Sequence, residues 1–151
     1  MRMSFEERIG GHLKRVEQEL VVAKAAAVKP AGVTVAQYAA LFVLEEQPGI
    51  SGAELARRCL VTPQTMTTIL RNLEAGDLIE RTPHPFHRHV IETRLTPAGQ
   101  QALDAADKRA TKVERALAAE FDADERATLL ALLGRCSAVL AAAREGFDAE
   151  E

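Results

Sequence analysis

The chain has 151 residues, a length that suits one domain with a buried core. Its 27 alanines, single tyrosine and lack of tryptophan favour helices over a β-sandwich or barrel, and a formal charge of −3 marks neither a polycation nor an acidic tail. Two cysteines outside any CxxC spacing exclude a zinc knuckle or disulfide framework, and the longest unbroken apolar run, Tyr38 to Leu44, is far below the roughly 20 residues of a membrane span.

Residues 1–10 carry Arg2, Glu6, Glu7 and Arg8 with no apolar stretch behind them, which argues against a signal peptide and predicts a soluble, cytoplasmic protein without a membrane partner. Phe5, Ile9, Leu13, Val16, Leu20, Ala23 and Ala27 then recur at helical spacing up to Lys29-Pro30. Thr34 with Gln37 forms a capping box for a helix through Tyr38, Leu41, Phe42 and Leu44 that stops at Pro48-Gly49. Ser51 with Glu54 is a second capping box, opening a short helix. Thr62-Pro63 reads as N-cap and first-turn proline of a helix that closes at Gly76.

The period then changes. Residues 78–82 and 89–95 read as strands, with a polar, proline-containing stretch of about six residues between them, which makes one β-hairpin. Thr96-Pro97 starts a helix whose stripe, Leu103, Ala106, Ala110, Val113 and Leu117, steps by three and four. Asp122 with Glu125 caps a last helix that carries Leu129, Leu130, Leu132, Leu133, Cys136, Val139 and Leu140. Stripes this apolar exceed what a small lobe can bury alone, and they predict an interface.

The helix from Pro63 to Ala75 carries the chemistry. Met66, Ile69, Leu70 and Leu73 share one face, while Gln64, Thr68 and Arg71 lie nearly opposite, flanked by Thr65, Thr67 and Asn72. Threonine is a mediocre helix former, so four of them (62, 65, 67 and 68) in seven residues call for a reason beyond solubility. Gln pairs with adenine, Arg with guanine, and Thr meets phosphates or a thymine methyl. Two short helices joined by a tight turn, the second polar outside and followed by a hairpin, make a winged helix-turn-helix. Residues 50–95 hold six basic and five acidic side chains, the only part of the chain with a positive balance.

Gly49-Ile50-Ser51-Gly52-Ala53-Glu54-Leu55-Ala56, the run from Thr62 to Glu74, and Gly76-Asp77-Leu78-Ile79-Glu80-Arg81 together resemble the MarR family, as does Leu95-Thr96-Pro97-Ala98-Gly99. The order of elements is similar from about residue 4 to about residue 145. The resemblance implies one mainly α domain with a small β-hairpin: a winged helix-turn-helix lobe at about 34–95, flanked by dimerisation helices at about 4–29 and 96–146. It implies a homodimeric, sequence-specific DNA-binding regulator, usually a repressor, on a pseudo-palindromic double-stranded site. Thr62, Gln64, Thr65, Thr67, Thr68 and Arg71 would then act in the major groove, and His87, Arg88 and His89 in the wing. It further implies a small aromatic or amphipathic effector, with a pocket drawing on His12, Leu13, Tyr38, Phe42 and Val43.

The wing departs from the family pattern. Where an Asp-x-Arg is usual before the second strand, this chain has His87 and His89 with Arg88 between them, and strand alternation would point Arg88 away from His89. Two other readings keep DNA binding and change the trigger. His84, His87 and His89 lie within six residues, but a structural zinc wants four ligands, so no metal is assigned. Cys59 follows Arg57 and Arg58, whose charge would lower its pKa and favour oxidation, against the plainer role of a small buried hydrophobe. A different class of reading is a winged-helix protein-interaction module that never meets DNA. No catalytic residues and no cofactor are expected, because no nucleophile motif, phosphate loop or HExxH occurs, and the chain reads as a non-enzyme.

Overall fold

The computed structural model describes residues 2–4 and 6–148, with the backbone alone at 147 and 148; Phe5, the first residue of the predicted stripe, lies outside this set. The element order is α1 (Ile9–Val28), a 3-10 turn (Lys29–Ala31), α2 (Val35–Glu46), α3 (Gly52–Arg58), α4 (Pro63–Ala75), β1 (Ile79–Pro83), β2 (Ile91–Leu95), α5 (Pro97–Ala119) and α6 (Ala123–Asp148). The chain divides into two compact units, residues 1–113 and 114–151.

Local chemistry sets most boundaries. Thr34 Oγ1 accepts from Gln37 N–H (3.1 Å) while Gln37 Oε1 accepts from Thr34 N–H (2.9 Å), the reciprocal box that starts α2. The box predicted at α3 is only half made. Ser51 Oγ accepts from Glu54 N–H, but the Glu54 carboxylate turns to the guanidinium of Arg57 instead of returning to Ser51. At α6, Asp122 and Glu125 bond each other's backbone in both directions.

Helices α3 and α4 end alike. In each, the residue after the C-cap is left-handed, Leu60 (φ 56°) and Asp77 (φ 56°). Val61 N–H reaches Ala56 O and Leu78 N–H reaches Leu73 O, so both ends are Schellman motifs. Gly76 is the C-cap of α4, as its sequence predicts, at φ −90°, and the left-handed residue is Asp77 after it.

The core of the first unit gathers Val28, Leu41, Leu44, Leu55, Met66, Leu70, Leu73, Ile79 and Leu103, all buried. Ala106 and Ala110 are buried there as well, so the first half of the α5 stripe is consumed by the lobe, while Leu117 stays exposed. By contrast, α1 buries only Val28, and Ile9 and Val16 on its stripe are exposed.

In the second unit, Leu129, Leu130, Leu132, Leu133, Val139 and Leu140 of α6 are all exposed. This helix is also long and apolar enough to cross a membrane by length and composition, with a mean hydropathy of 1.4. Counting unbroken apolar runs missed this because Thr128, Gly134, Arg135 and Ser137 break the sequence into short pieces.

The hairpin is shifted from its predicted place. β1 pairs antiparallel with β2, with Ile79 opposite Leu95 and Pro83 opposite Ile91. Pro83 is tolerated because it closes a two-stranded ladder at its edge. Residues 84–90 form the tip, closed by His84 N–H to Val90 O (2.8 Å) and Val90 N–H to His87 O (2.8 Å).

Two glycines seat the hairpin on the lobe. Gly49 (φ 85°) donates its N–H to Thr93 O (3.0 Å), tying the α2–α3 turn to β2. A Cβ built on Gly99 would lie 1.9 Å from Leu78 O, so the first turn of α5 can approach the foot of the wing only with glycine there. Beside it, Thr96 Oγ1 donates to Asp77 O (2.6 Å) and accepts from Gly99 N–H (3.0 Å), capping α5 and gripping the α4–β1 turn at once.

Candidate nucleic-acid interface

Helix α4 is amphipathic as its spacing predicts. Met66, Ile69, Leu70 and Leu73 are buried, while Thr62, Gln64, Thr65, Thr67, Thr68 and Arg71 are exposed. Thr62 Oγ1 accepts from Thr65 N–H (3.1 Å) and donates its own proton to Thr65 Oγ1 (2.9 Å), which leaves the Thr65 hydroxyl proton free to donate outward. Thr67 Oγ1 donates back to Pro63 O (2.9 Å) and Thr68 Oγ1 to Gln64 O (3.5 Å), so these two offer solvent a hydroxyl acceptor and a methyl. At the exposed N-terminus of α4, Pro63 has no N–H and the Thr65 N–H is held by Thr62, which leaves the Gln64 N–H and the positive dipole end for a phosphate.

Charge pairing explains why a lobe with nearly balanced charge is still suited to a polyanion. Arg57 pairs with Glu54, Arg58 with Glu46 (3.7 Å) and Arg94 with Glu92 (2.9 Å). Among the described residues no carboxylate pairs with Arg71 on α4, Arg81 on β1 or Arg88 in the wing tip. These three guanidiniums therefore stand uncompensated. Arg81 was not singled out from sequence, since nothing in one dimension separates it from the arginines that fold onto neighbouring acids.

The wing tip is an ordered turn built on His84. Its Nδ1 accepts from both Phe86 N–H and His87 N–H (3.1 Å each), and its Nε2 faces Glu92 Oε1 at 3.5 Å across the hairpin. Strand alternation therefore does not govern Arg88 and His89: β2 begins only at Ile91, and both lie in the tip, exposed, as does His87. Among the described residues no group of three His, Cys, Asp or Glu side chains is placed to hold a metal ion.

The residues proposed for an effector pocket are divided. His12 lines a cavity of about 560 Å³ with Glu6, Gly11 and Arg15, and its Nε2 lies 3.2 Å from Glu6 O. Leu13, Tyr38, Phe42 and Val43 are not among that cavity's described lining residues. Tyr38 donates its hydroxyl to Asp107 Oδ1 (2.7 Å) on α5 and tilts against Phe42, with ring centroids 6.2 Å apart; Val43 packs against the core.

At Cys59 the structure favours the plainer reading, a partly buried small hydrophobe, over an oxidisable thiol. Burial pushes its thiol up from the ordinary range, and the two arginines expected to lower it are occupied with Glu54 and Glu46.

A model of the MarR family matches residues 31–88, from the 3-10 turn into the wing tip. The HTH-type transcriptional repressor Rv2887 of Mycobacterium tuberculosis is 36% identical over 116 residues, covering 77% of this chain and 81% of the relative. Among solved structures, the transcriptional repressor CouR bound to a 23-mer DNA duplex superposes with a TM-score of 0.80 at 28% identity, covering 91% of this chain and 99% of the other. A complex of Rv2887 with salicylic acid superposes with a TM-score of 0.66 at 29% identity, covering 85% of this chain and 96% of the other. By shared sequence over most of a curated relative, and by a helix-turn-helix followed by a two-stranded wing, the chain belongs to the MarR family.

Proposed function

We propose that the protein is a homodimeric, sequence-specific DNA-binding repressor, and that a small aromatic or amphipathic effector releases it from a pseudo-palindromic double-stranded operator. Its role is binding rather than catalysis, and its place is the cytoplasm. The observation that carries this reading is the outward face of α4, where an exposed helix N-terminus, Gln64, three threonines and an uncompensated Arg71 share one surface backed by buried Met66, Leu70 and Leu73. Major-groove readout needs that combination of donors, acceptors and methyls on a rigid support. The exposed leucines of α6 supply the apolar surface a second copy would cover, and a two-fold dimer sets two recognition helices about 34 Å apart, one turn of duplex. The salicylic acid bound by one relative names the effector class to try first.

The test is fluorescence anisotropy on DNA from immediately upstream of the protein's own gene, against random DNA of equal length, at several salt concentrations. Preferential binding at two protomers per site is expected. If Arg81 and Arg88 of each protomer meet phosphates, log K should fall with log salt at a slope of about −4. Arg71→Ala should cost about 1–3 kcal/mol on the specific site and little on random DNA if it reads a base. Salicylate should weaken the specific complex. Equal weak binding to both DNAs would instead move the protein-interaction reading ahead.

A further inference from the structure

The wing tip holds an unexplained apolar group. Phe86 is 87% exposed at the end of the hairpin, far more than Val90, the other large apolar side chain of the tip, at 38%. An exposed aromatic on a loose loop would carry little meaning, since single apolar residues on a surface are ordinary. This one is held in place. The backbone N–H of Phe86 and that of the next residue both bond to His84 Nδ1, Pro85 fixes the φ before it, and the His84 ring lies beside both Phe86 (6.2 Å between centroids) and His87 (5.0 Å). The turn thus presents the phenyl ring outward on a rigid base.

Its neighbours identify the surface it would meet. From His84 to Val90 there is no carboxylate; the tip offers Arg88, uncompensated among the described residues, and the exposed imidazoles of His87 and His89. A guanidinium beside a projecting apolar group complements a surface whose edges are phosphates and whose walls are apolar. The DNA minor groove has that character, with charged backbones on both sides of sugar C–H walls about 6 Å apart.

We propose that Phe86 is an apolar wedge that enters the minor groove beside each half-site, with Arg88 of the same turn facing the flanking phosphates. This rests on the DNA-binding reading above. A wedge presses apart the base step it meets, so it favours pyrimidine–purine steps, which open easily, over stiff A-tracts. Phe86 is then a specificity-determining residue that acts through DNA deformability and makes no hydrogen bond to a base.

The experiment compares wild type, Phe86→Ala, Phe86→Leu and Arg71→Ala on the operator, and on variants in which the step under the wing is TA or lies within an A-tract. Affinity is read by anisotropy and local unstacking by 2-aminopurine fluorescence at that step. Phe86→Ala should lose roughly ten- to a hundred-fold in affinity, with an unchanged salt slope, because an apolar contact and no ion pair is removed. Phe86→Leu should recover most of that loss, and the preference for TA over the A-tract together with the 2-aminopurine signal should vanish in Phe86→Ala alone. If Phe86→Ala binds like wild type while Arg71→Ala is impaired, the wedge is wrong and the DNA-binding reading stands. If wild type itself shows no preference for the operator over random DNA, both fall together. Circular dichroism of Phe86→Ala should match wild type, since the ring touches no core residue.

Discussion

Gly99 shows how a single residue carries the junction between lobe and wing. Its missing side chain lets the first turn of α5 lie directly against the Leu78 carbonyl, and that neighbour is backbone that cannot swing aside. Gly99→Ala should destabilise the fold by about 3 kcal/mol, measured as a shift in the urea midpoint at constant slope. Leu60 presents the opposite case: a left-handed residue with a Cβ, nearly fully exposed, at a position where glycine would relieve strain. Leu60→Gly should stabilise by about 1 kcal/mol and raise the melting temperature by a few degrees. Cys59 is held in its neutral form by burial, so its thiol titrates above the ordinary range. The sign follows: the folded state favours the protonated thiol, this contribution is complete below the ordinary thiol pKa, and it is lost as pH climbs through the raised native value. Iodoacetamide at pH 7.5 should therefore label Cys59 far more slowly in the native protein than in urea, with the modified peptide identified by mass spectrometry. Comparable rates would restore Cys59 as a reactive sensor.

At the scale of elements, the helices were legible wherever a cap and a periodic face agreed. The Thr34–Gln37 box and the Thr62-Pro63 start fell where the sequence puts them, because caps are short-range chemistry among residues three apart. The wing was legible only in outline. Its shift came from His84, which uses one ring nitrogen to hold two backbone N–H groups and so turns the chain before Ile91 can begin a strand. A histidine acting as a turn acceptor leaves no periodic mark. The free arginines were illegible for a related reason: Arg58 meets Glu46, twelve positions away, and sequence spacing alone does not reveal that pair. Helix α6 offers the most direct test at this scale. Replacing Leu130 and Leu133 together with glutamate should leave a folded monomer by sedimentation and abolish cooperative operator binding, whereas an unchanged dimer would move the interface elsewhere.

For the molecule as a whole, the sequence left open how far α5 belongs to the lobe, and the structure gives a divided answer. Leu103, Ala106 and Ala110 complete the core of the first unit, while Leu117 farther along the same helix is exposed. One unbroken 23-residue helix thus serves two environments in succession, and its stepping by three and four continues through both without distinguishing them. This is why apolar spacing could predict the helix and could not predict what each part of it would touch.

That helix is fastened to the rest of the first unit at two stations. At its first turn Thr96 and Gly99 hold the foot of the hairpin; about 15 Å farther on, Asp107 takes the Tyr38 hydroxyl from α2 and Arg109 donates to Ala27 O on α1 (2.6 Å). A stiff beam clamped twice has no freedom to yield at one clamp alone. The foot of the wing and the seating of α1 and α2 are therefore fixed by hydrogen bonds to one and the same helix.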